Sequence, residues 1–389
     1  MDAFGGKALY SNVGGDGNSA FGYTAMYSNT TGSSNVAIGT GVTGVANGAL
    51  YSNTTGSNNV AIGYTALQAN TSSSNNTAIG YQSGYNSVSQ YNVYIGSQAG
   101  YNNTSNGGVT AVGWKAGYAN GQTNSGDSLT AFGVQSAYSN TASAITAIGA
   151  SALYSNTTGA NNTAVGYQAL YSSATSDNNS ALGQQALYNS TGSSNVAVGR
   201  ASGFGTTTGS NNTFVGYQSG QNISNTTGSN NTFVGYQSSG SAGADTGEIV
   251  IGTNSATGKG SNTGFISPNG GGVYQGNNSA TWSITSDQRL KKNIVDNTVG
   301  LSAINAIQVR NFEYRLPEEV TDLPQNQAIA KEGVQLGVIA QELQAILPDC
   351  VKTESTGVMS VDTTNITWHL INAVKELSSK VTALENKGA

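Results

Sequence analysis

The sequence predicts an all-β repetitive shaft, a β-solenoid or β-roll, with an interwoven triple β-helix as the alternative. A small α+β domain ending in a coiled-coil helix follows it. Three observations lead there: an aliphatic–glycine signature returns at a nearly constant interval, charged residues are scarce until about residue 284, and apolar residues take 4-3-4-3 spacing at the end.

The signature runs from Ala3-Phe4-Gly5 through copies such as Ala37-Ile38-Gly39 and Ala164-Val165-Gly166 to Val250-Ile251-Gly252. Its 15 copies are separated by 17.6 residues on average, and most intervals are 16 or 17. A unit this short cannot bury an apolar face alone and must stack on its neighbours.

Residues 160–176 show one whole unit. A strand around Thr163 to Val165 breaks at Gly166, and a second short strand-like stretch runs to about Tyr171. An Asn/Ser/Thr/Gly corner closes the unit, because Gly and Asn tolerate left-handed backbone angles. Alanine and the Ile, Val or Phe beside it are expected to line a thin core. At the strand spacing of about 4.8 Å, 14 steps make a shaft of roughly 70 Å. Tyr64, Tyr81, Tyr167, Tyr217 and Tyr236 each follow a signature glycine. They read as a stabilising ladder between coils, with glycan stacking as the competing role.

The shaft is assigned to 1–252 and a Gly/Asn/Ser-rich stalk to 253–283. The second domain is assigned to 284–389. Charged residues number 23 among the 106 of 284–389, against 9 among the first 252. Leu370, Val374, Leu377, Val381 and Leu384 form the seam of a helix expected over 366–387. Two or three heptads are too few for a stable coil alone, so oligomer order must be set elsewhere.

Composition excludes several functions. Only 14 Lys and Arg in 389 residues and a net charge of −5 leave no basic footprint for nucleic acid. No apolar run reaches the roughly 20 residues that span a bilayer, so no membrane association is expected. The opening Met1-Asp2-Ala3-Phe4-Gly5-Gly6 has no secretory signal pattern, which suggests a fragment of a longer fibre or anchoring by another protein. Cys350 and His369 are the only residues of their kinds; one of each does not build an ordinary zinc site, so no metal and no cofactor are expected. Cys350 reads as a buried small hydrophobe, and His369, beside Trp368, as a packing or capping residue.

The stretch with chemistry is Ser286-Asp287-Gln288-Arg289-Leu290-Lys291. Together with Gly337-Val338-Ile339-Ala340-Gln341-Glu342-Leu343, Leu347-Pro348 and Val361-Asp362, it resembles the C-terminal intramolecular chaperone domain of phage tailspikes and tail fibres, a self-cleaving peptidase family. The resemblance covers 286–389. It implies a module that trimerises, guides folding of the upstream fibre and is released by a cut between Thr285 and Ser286. It also implies Ser286 as nucleophile and Lys291 as base, with Asp287 and Arg289 in supporting roles. The chemistry is compatible: a serine hydroxyl needs a base, and a desolvated lysine can serve. The competing reading makes Ser286-Asp287 a cap for a helix starting near Gln288, with Lys291 on a solvated face. The repeats resemble, more loosely, the head repeats of trimeric bacterial adhesins, as in Asn35-Val36-Ala37-Ile38-Gly39.

The expected function is therefore that of a homotrimeric viral tail fibre or spike, located in the virion and matured by autoproteolysis. A host surface glycan or receptor and a virion anchoring protein are its expected partners. A bacterial trimeric surface adhesin is the alternative. A carbohydrate-cleaving shaft is disfavoured, since residues 1–252 hold only Asp2, Asp16, Asp127, Asp177, Asp245 and Glu248, and glycoside hydrolysis generally uses paired carboxylates.

Overall fold

The computed structural model describes residues 1–388 except 45–46, 105–106, 120–127, 222–226, 254, 269–271, 277–282, 285, 324, 326–327, 330 and 355–356. The chain forms two compact units, Met1–Thr285 and Ser286–Ala389.

The first unit is a parallel β-solenoid. Among the described residues, sixteen strands of three or four residues follow one another from β1 (Asp2–Phe4) to β16 (Gly264–Ser267). Each pairs in parallel with the next of the same chain, so that Ala20 lies against Ala37 and Ala164 against Ala181. The ladder extends one rung past the last signature copy, pairing Val250 with Phe265. Two further strands, β17 (Val273–Gln275) and β18 (Ser283–Ile284), then pair antiparallel.

Two expectations about the coil need correction. The stretch after Gly166 is a run of turns and not a second strand, with Gln168 and Leu170 in left-handed geometry at φ of 55° and 51°. Gly166 itself lies at φ 139°, and a Cβ there would fall 2.5 Å from the Gly183 carbonyl oxygen. Each coil thus turns back sharply after one short strand, which only a residue without a side chain allows at that point. The second correction concerns the core. Neighbouring strand residues point to opposite faces, so the central alanines are fully buried while the third residues face outward, as with Ile38 at 42% exposure and Phe132 at 55%. The apolar partners of the alanines come from the turns: Leu67, Leu153, Leu170 and Leu187 are buried among them.

Polar ladders complete the interior. Asn162, Asn179, Asn195, Asn212 and Asn231 are buried one above another, four residues before successive signature glycines. Each Oδ1 accepts the backbone N–H of the next member at 2.9 Å. The Nδ2 of Asn179 donates to the Gly192 carbonyl and that of Asn195 to Gly209. This satisfies backbone groups at every corner that would otherwise be buried unpaired. Glu248 closes the column, its N–H bonded to the Asn231 side chain at 2.8 Å.

Tyrosines do form ladders. Tyr64 stacks on Tyr81 and Tyr217 on Tyr236, whereas Tyr167 stacks on no ring among the described residues. A longer column lies five residues after the glycines, where Tyr85, Tyr101, Tyr118, Tyr138, Tyr154, Tyr171, Tyr188 and Phe204 stack at 5.0–5.2 Å. Within that column each inner ring has both faces covered by its neighbours, which supports the stabilising role over sugar stacking.

The second unit is a small α+β domain. Helix α1 (Leu301–Ala306) precedes an antiparallel pair, β19 (Arg310–Phe312) with β20 (Gln335–Gly337). Helix α2 (Ala340–Gln344), a 3-10 turn at Pro348–Cys350 and a hairpin of β21 (Val351–Thr353) and β22 (Met359–Val361) follow. The terminal helix α3 spans Thr363–Gly388, beginning three residues before the expected start because the Asp362 carboxylate accepts the Thr364 and Asn365 N–H groups. Its core gathers Leu343, Leu347 and Cys350. The seam residues Leu370, Val374, Leu377, Val381 and Leu384 stay 44–69% exposed.

Candidate functional site

Ser286 opens the second unit, and a 3-10 turn at Gln288–Leu290 follows it. Asp287 caps that turn, its Oδ1 accepting the Arg289 N–H at 2.9 Å. Arg289 folds back onto the same carboxylate, with Nη2 2.6 Å from Oδ2. The guanidinium holds the Asp287 carboxyl below its usual range. The ion pair is open to water, so its worth lies in shaping the turn more than in net stability.

The turn reverses the chain just before Lys291, whose N–H bonds to the Gln288 carbonyl. Its side chain then reaches back so that Nζ donates to the Ser286 Oγ at 2.6 Å. The capping geometry and the serine–lysine contact thus coexist, because Asp287 makes the cap and leaves the Ser286 hydroxyl to the lysine. Both Ser286 and Lys291 are exposed. Thr285, the expected partner in the cut bond, lies outside the described residues.

His369 is buried at 4% exposure on α3. Its Nδ1 lies 3.0 Å from the Val299 carbonyl and its Nε2 2.9 Å from Asp349 Oδ2. Both partners accept, so the pair of bonds is complete only for the protonated ring. The Val299 carbonyl, aided by Asp349, pushes the His369 pKa up. Cys350 lies close by, within 4.8 Å of these side-chain ligand atoms, and is fully buried. With both ring nitrogens committed, the trio reads as a packing bridge between α3 and the 348–350 turn. The sequence alone could not supply Val299 and Asp349, which lie 70 and 20 residues from the histidine.

Glu248, named from the sequence only as one of the scattered acids of the shaft, is a second ionisable group with a specific buried setting. It is fully buried, accepting the Gly260 N–H at 2.8 Å and the Ser241 N–H at 3.2 Å. Desolvation raises its pKa against those hydrogen bonds. Its signal was legible: it occupies the column position that asparagine holds in the coils before it. Nearby Asp245 is bonded to the Ser241 and Ser261 hydroxyls. Both acids therefore hold the last corner of the solenoid together.

No curated protein and no solved structure shows significant similarity to this chain. One family model does match, described as the chaperone of endosialidase, over residues 286–352. The match opens on Ser286 itself and ends before α3. Residues 286–352 of the second unit therefore match the chaperone-of-endosialidase family, in agreement with a C-terminal chaperone domain.

Proposed function

We propose that the chain is a structural fibre or spike protein of a phage-like virion tail, whose C-terminal unit drives trimeric assembly and is then released by its own Ser286–Lys291 pair. The observation that carries this reading is the 2.6 Å contact from Lys291 Nζ to Ser286 Oγ. It occurs at the first residue of the family match and of the second unit.

In the reaction, neutral Lys291 takes the proton of Ser286 Oγ as that oxygen bonds to the Thr285 carbonyl carbon. The bond from that carbon to the Ser286 nitrogen breaks, and the lysine returns the proton to the leaving amine. Water then hydrolyses the resulting ester, leaving a Thr285 carboxylate, a free Ser286 amine and the restored hydroxyl. A lysine serves as base when desolvated, and both side chains are exposed in one chain. Burial against other chains would supply that desolvation, so cleavage would follow assembly.

Two unpartnered surfaces support oligomerisation. The outward strand residues form an apolar row along the solenoid, including Ile38, Ile79, Ile95, Ile148, Val215 and Ile251, each 37–42% exposed. The α3 seam is the other. Such extended apolar surfaces mark interaction sites, and the number three comes from the family resemblance. A host receptor and a virion anchoring protein complete the proposed set of partners.

Mass spectrometry of the purified chain is the test, paired with native mass determination. Fragments 1–285 and 286–389 are expected from wild type, and an intact chain from Ser286→Ala. An uncut wild-type mass in a demonstrated trimer would overturn the cleavage reading.

A further inference from the structure

Gly39 to Gly63 is the longest interval between signature glycines, 24 residues where 17 is usual. The strands on either side keep their register, Val36 against Val60 and Ala37 against Ala61. The surplus is therefore absorbed outside the sheet. The chain departs after Gly41, whose N–H still bonds to the Tyr23 carbonyl at 2.9 Å. It is tied back at Gly48, whose N–H donates to Thr24 Oγ1 at 3.0 Å.

Beside this excursion the solenoid holds a cavity of about 380 Å³, in the size class of small-molecule sites. Thr65 lines it, 3% exposed, and its hydroxyl has no hydrogen-bond partner among the described residues. The corresponding hydroxyl two coils earlier, on Thr24, is used twice, by the Tyr23 carbonyl and the Gly48 N–H. An unpaired buried hydroxyl is destabilising and calls for a partner.

The lining chemistry says which partner. Tyr23, Tyr51 and Tyr85 contribute rings, Tyr27 lines the wall with both ring faces covered by Tyr10 and Tyr51, and Gln68 contributes an amide. The tyrosine column is interrupted here by Gln68, so no ring stands between Tyr51 and Tyr85. Among the described residues of the lining, Val42 is the single branched aliphatic side chain and no carboxylate is present. Lys7 supplies one positive charge and makes no ion pair among the described residues. Only three cations occur in residues 1–252, Lys7, Lys115 and Arg200, so one in a cavity wall is a distinctive feature.

We propose that this cavity binds an acidic saccharide, a pyranose bearing a carboxylate. Aromatic rings suit the C–H face of a sugar, the Thr65 hydroxyl and Gln68 amide suit its hydroxyls, and the Lys7 ammonium suits its carboxylate. An apolar ligand would leave these polar groups unpaired, and a polyphosphate would find one cation where it needs several. The proposal deepens the fibre reading by naming the chemistry of a receptor, and rests on that reading only for its biological use.

The probes are oligosaccharides of glucuronic, galacturonic and mannuronic acid with their neutral hexose counterparts. They are titrated against full-length chain carrying Ser286→Ala. One acidic saccharide per chain is expected, with neutral counterparts at least tenfold weaker. Thr65→Val should weaken binding tenfold or more while raising the melting temperature, since it removes the orphan hydroxyl. Lys7→Gln should erase the preference for acidic over neutral sugars. If no hexuronate binds saturably to the folded chain, or binding survives both substitutions unchanged, the site is wrong. The cleavage experiment is independent: an uncut chain that binds keeps this site, and a cut chain that does not bind keeps the fibre reading.

Discussion

Lys291 folds back across the capped turn to place its Nζ 2.6 Å from the hydroxyl of Ser286, five residues earlier. If the lysine acts as a base it must be able to give up its proton, which arginine does not do in proteins. Lys291→Arg is expected to abolish cleavage as fully as Lys291→Ala, with the chain still folded by circular dichroism. Cleavage in Lys291→Arg at more than a tenth of the wild-type rate would assign the lysine a structural role only.

The Tyr94 ring occupies a strand position that is alanine in most coils, and the turns beside it give way. Gly84 and Gly100 stand there where other coils carry Leu67 or Leu153, and a Cβ on Gly100 would fall 2.2 Å from the ring. Burial pushes the Tyr94 phenol to about 12. Gly100→Leu should cost about 1–3 kcal/mol by overpacking, and Tyr94→Ala about 3–5 kcal/mol by leaving a cavity. In the double variant the leucine enters the space the ring leaves, so the two costs should sum to clearly more than the measured loss. Strict additivity in chemical denaturation would show that the two sites do not share space.

Asn179 connects three coils through its side chain and its backbone N–H. It accepts the Asn195 N–H, donates to the Gly192 carbonyl, and its own N–H rests on Asn162. Asn179→Ala should destabilise the solenoid by about 2–4 kcal/mol, from two buried groups losing their partner. An exposed change such as Thr175→Ala serves as control. Equal denaturation midpoints for the two variants would refute the ladder's importance.

Acidity should act through Glu248 and through His369 in the same direction. Glu248 is raised above its ordinary 4.5 by desolvation. Its contribution is therefore complete below the unfolded value and lost as pH rises through the folded one. His369 is raised above its ordinary 6.5 by the Val299 carbonyl and then Asp349, so its contribution is likewise present at low pH and lost as pH rises. The melting difference between wild type and Glu248→Gln should shift in favour of wild type as pH falls towards the ordinary carboxylate range. The corresponding difference for His369→Gln should shift the same way between alkaline and mildly acidic pH. A pH-independent difference in either case would contradict the assignment for that residue.

Chains expressed as 1–285 alone are expected to aggregate or stay monomeric, whereas shaft freed by cleavage after folding should be a resistant trimer. Every coil resembles the next, with Ala on Ala in successive rungs, so neighbouring registers differ little in energy. An aligned start is needed, and once formed the stacked interfaces unfold slowly. A heat- and detergent-resistant trimer obtained from 1–285 alone would remove the chaperone role and leave the peptidase role standing.

The sequence by itself determined the features that depend on local repetition. The Ala-Ile-Gly period forces stacking because 17 residues cannot enclose a core, and Gly166 must end its strand because its backbone angle excludes a side chain. The Ser286–Lys291 spacing was legible for the same reason, since one short turn connects the two. Tertiary structure decided what depends on facing direction and on distant partners. Ile38 looked like a core residue until strand alternation turned it outward while Ala37 went in. The stretch to Tyr171 looked extended until left-handed Gln168 and Leu170 curled it over the alanines. Val299 and Asp349 meet His369 only because α3 packs across both, and Thr24 gains the Gly48 N–H, a partner that Thr65 lacks among the described residues, only because the excursion returns there. Periodicity is written along the chain. Which side of a strand is inside, and which polar group is left alone, is settled only once the coils are stacked.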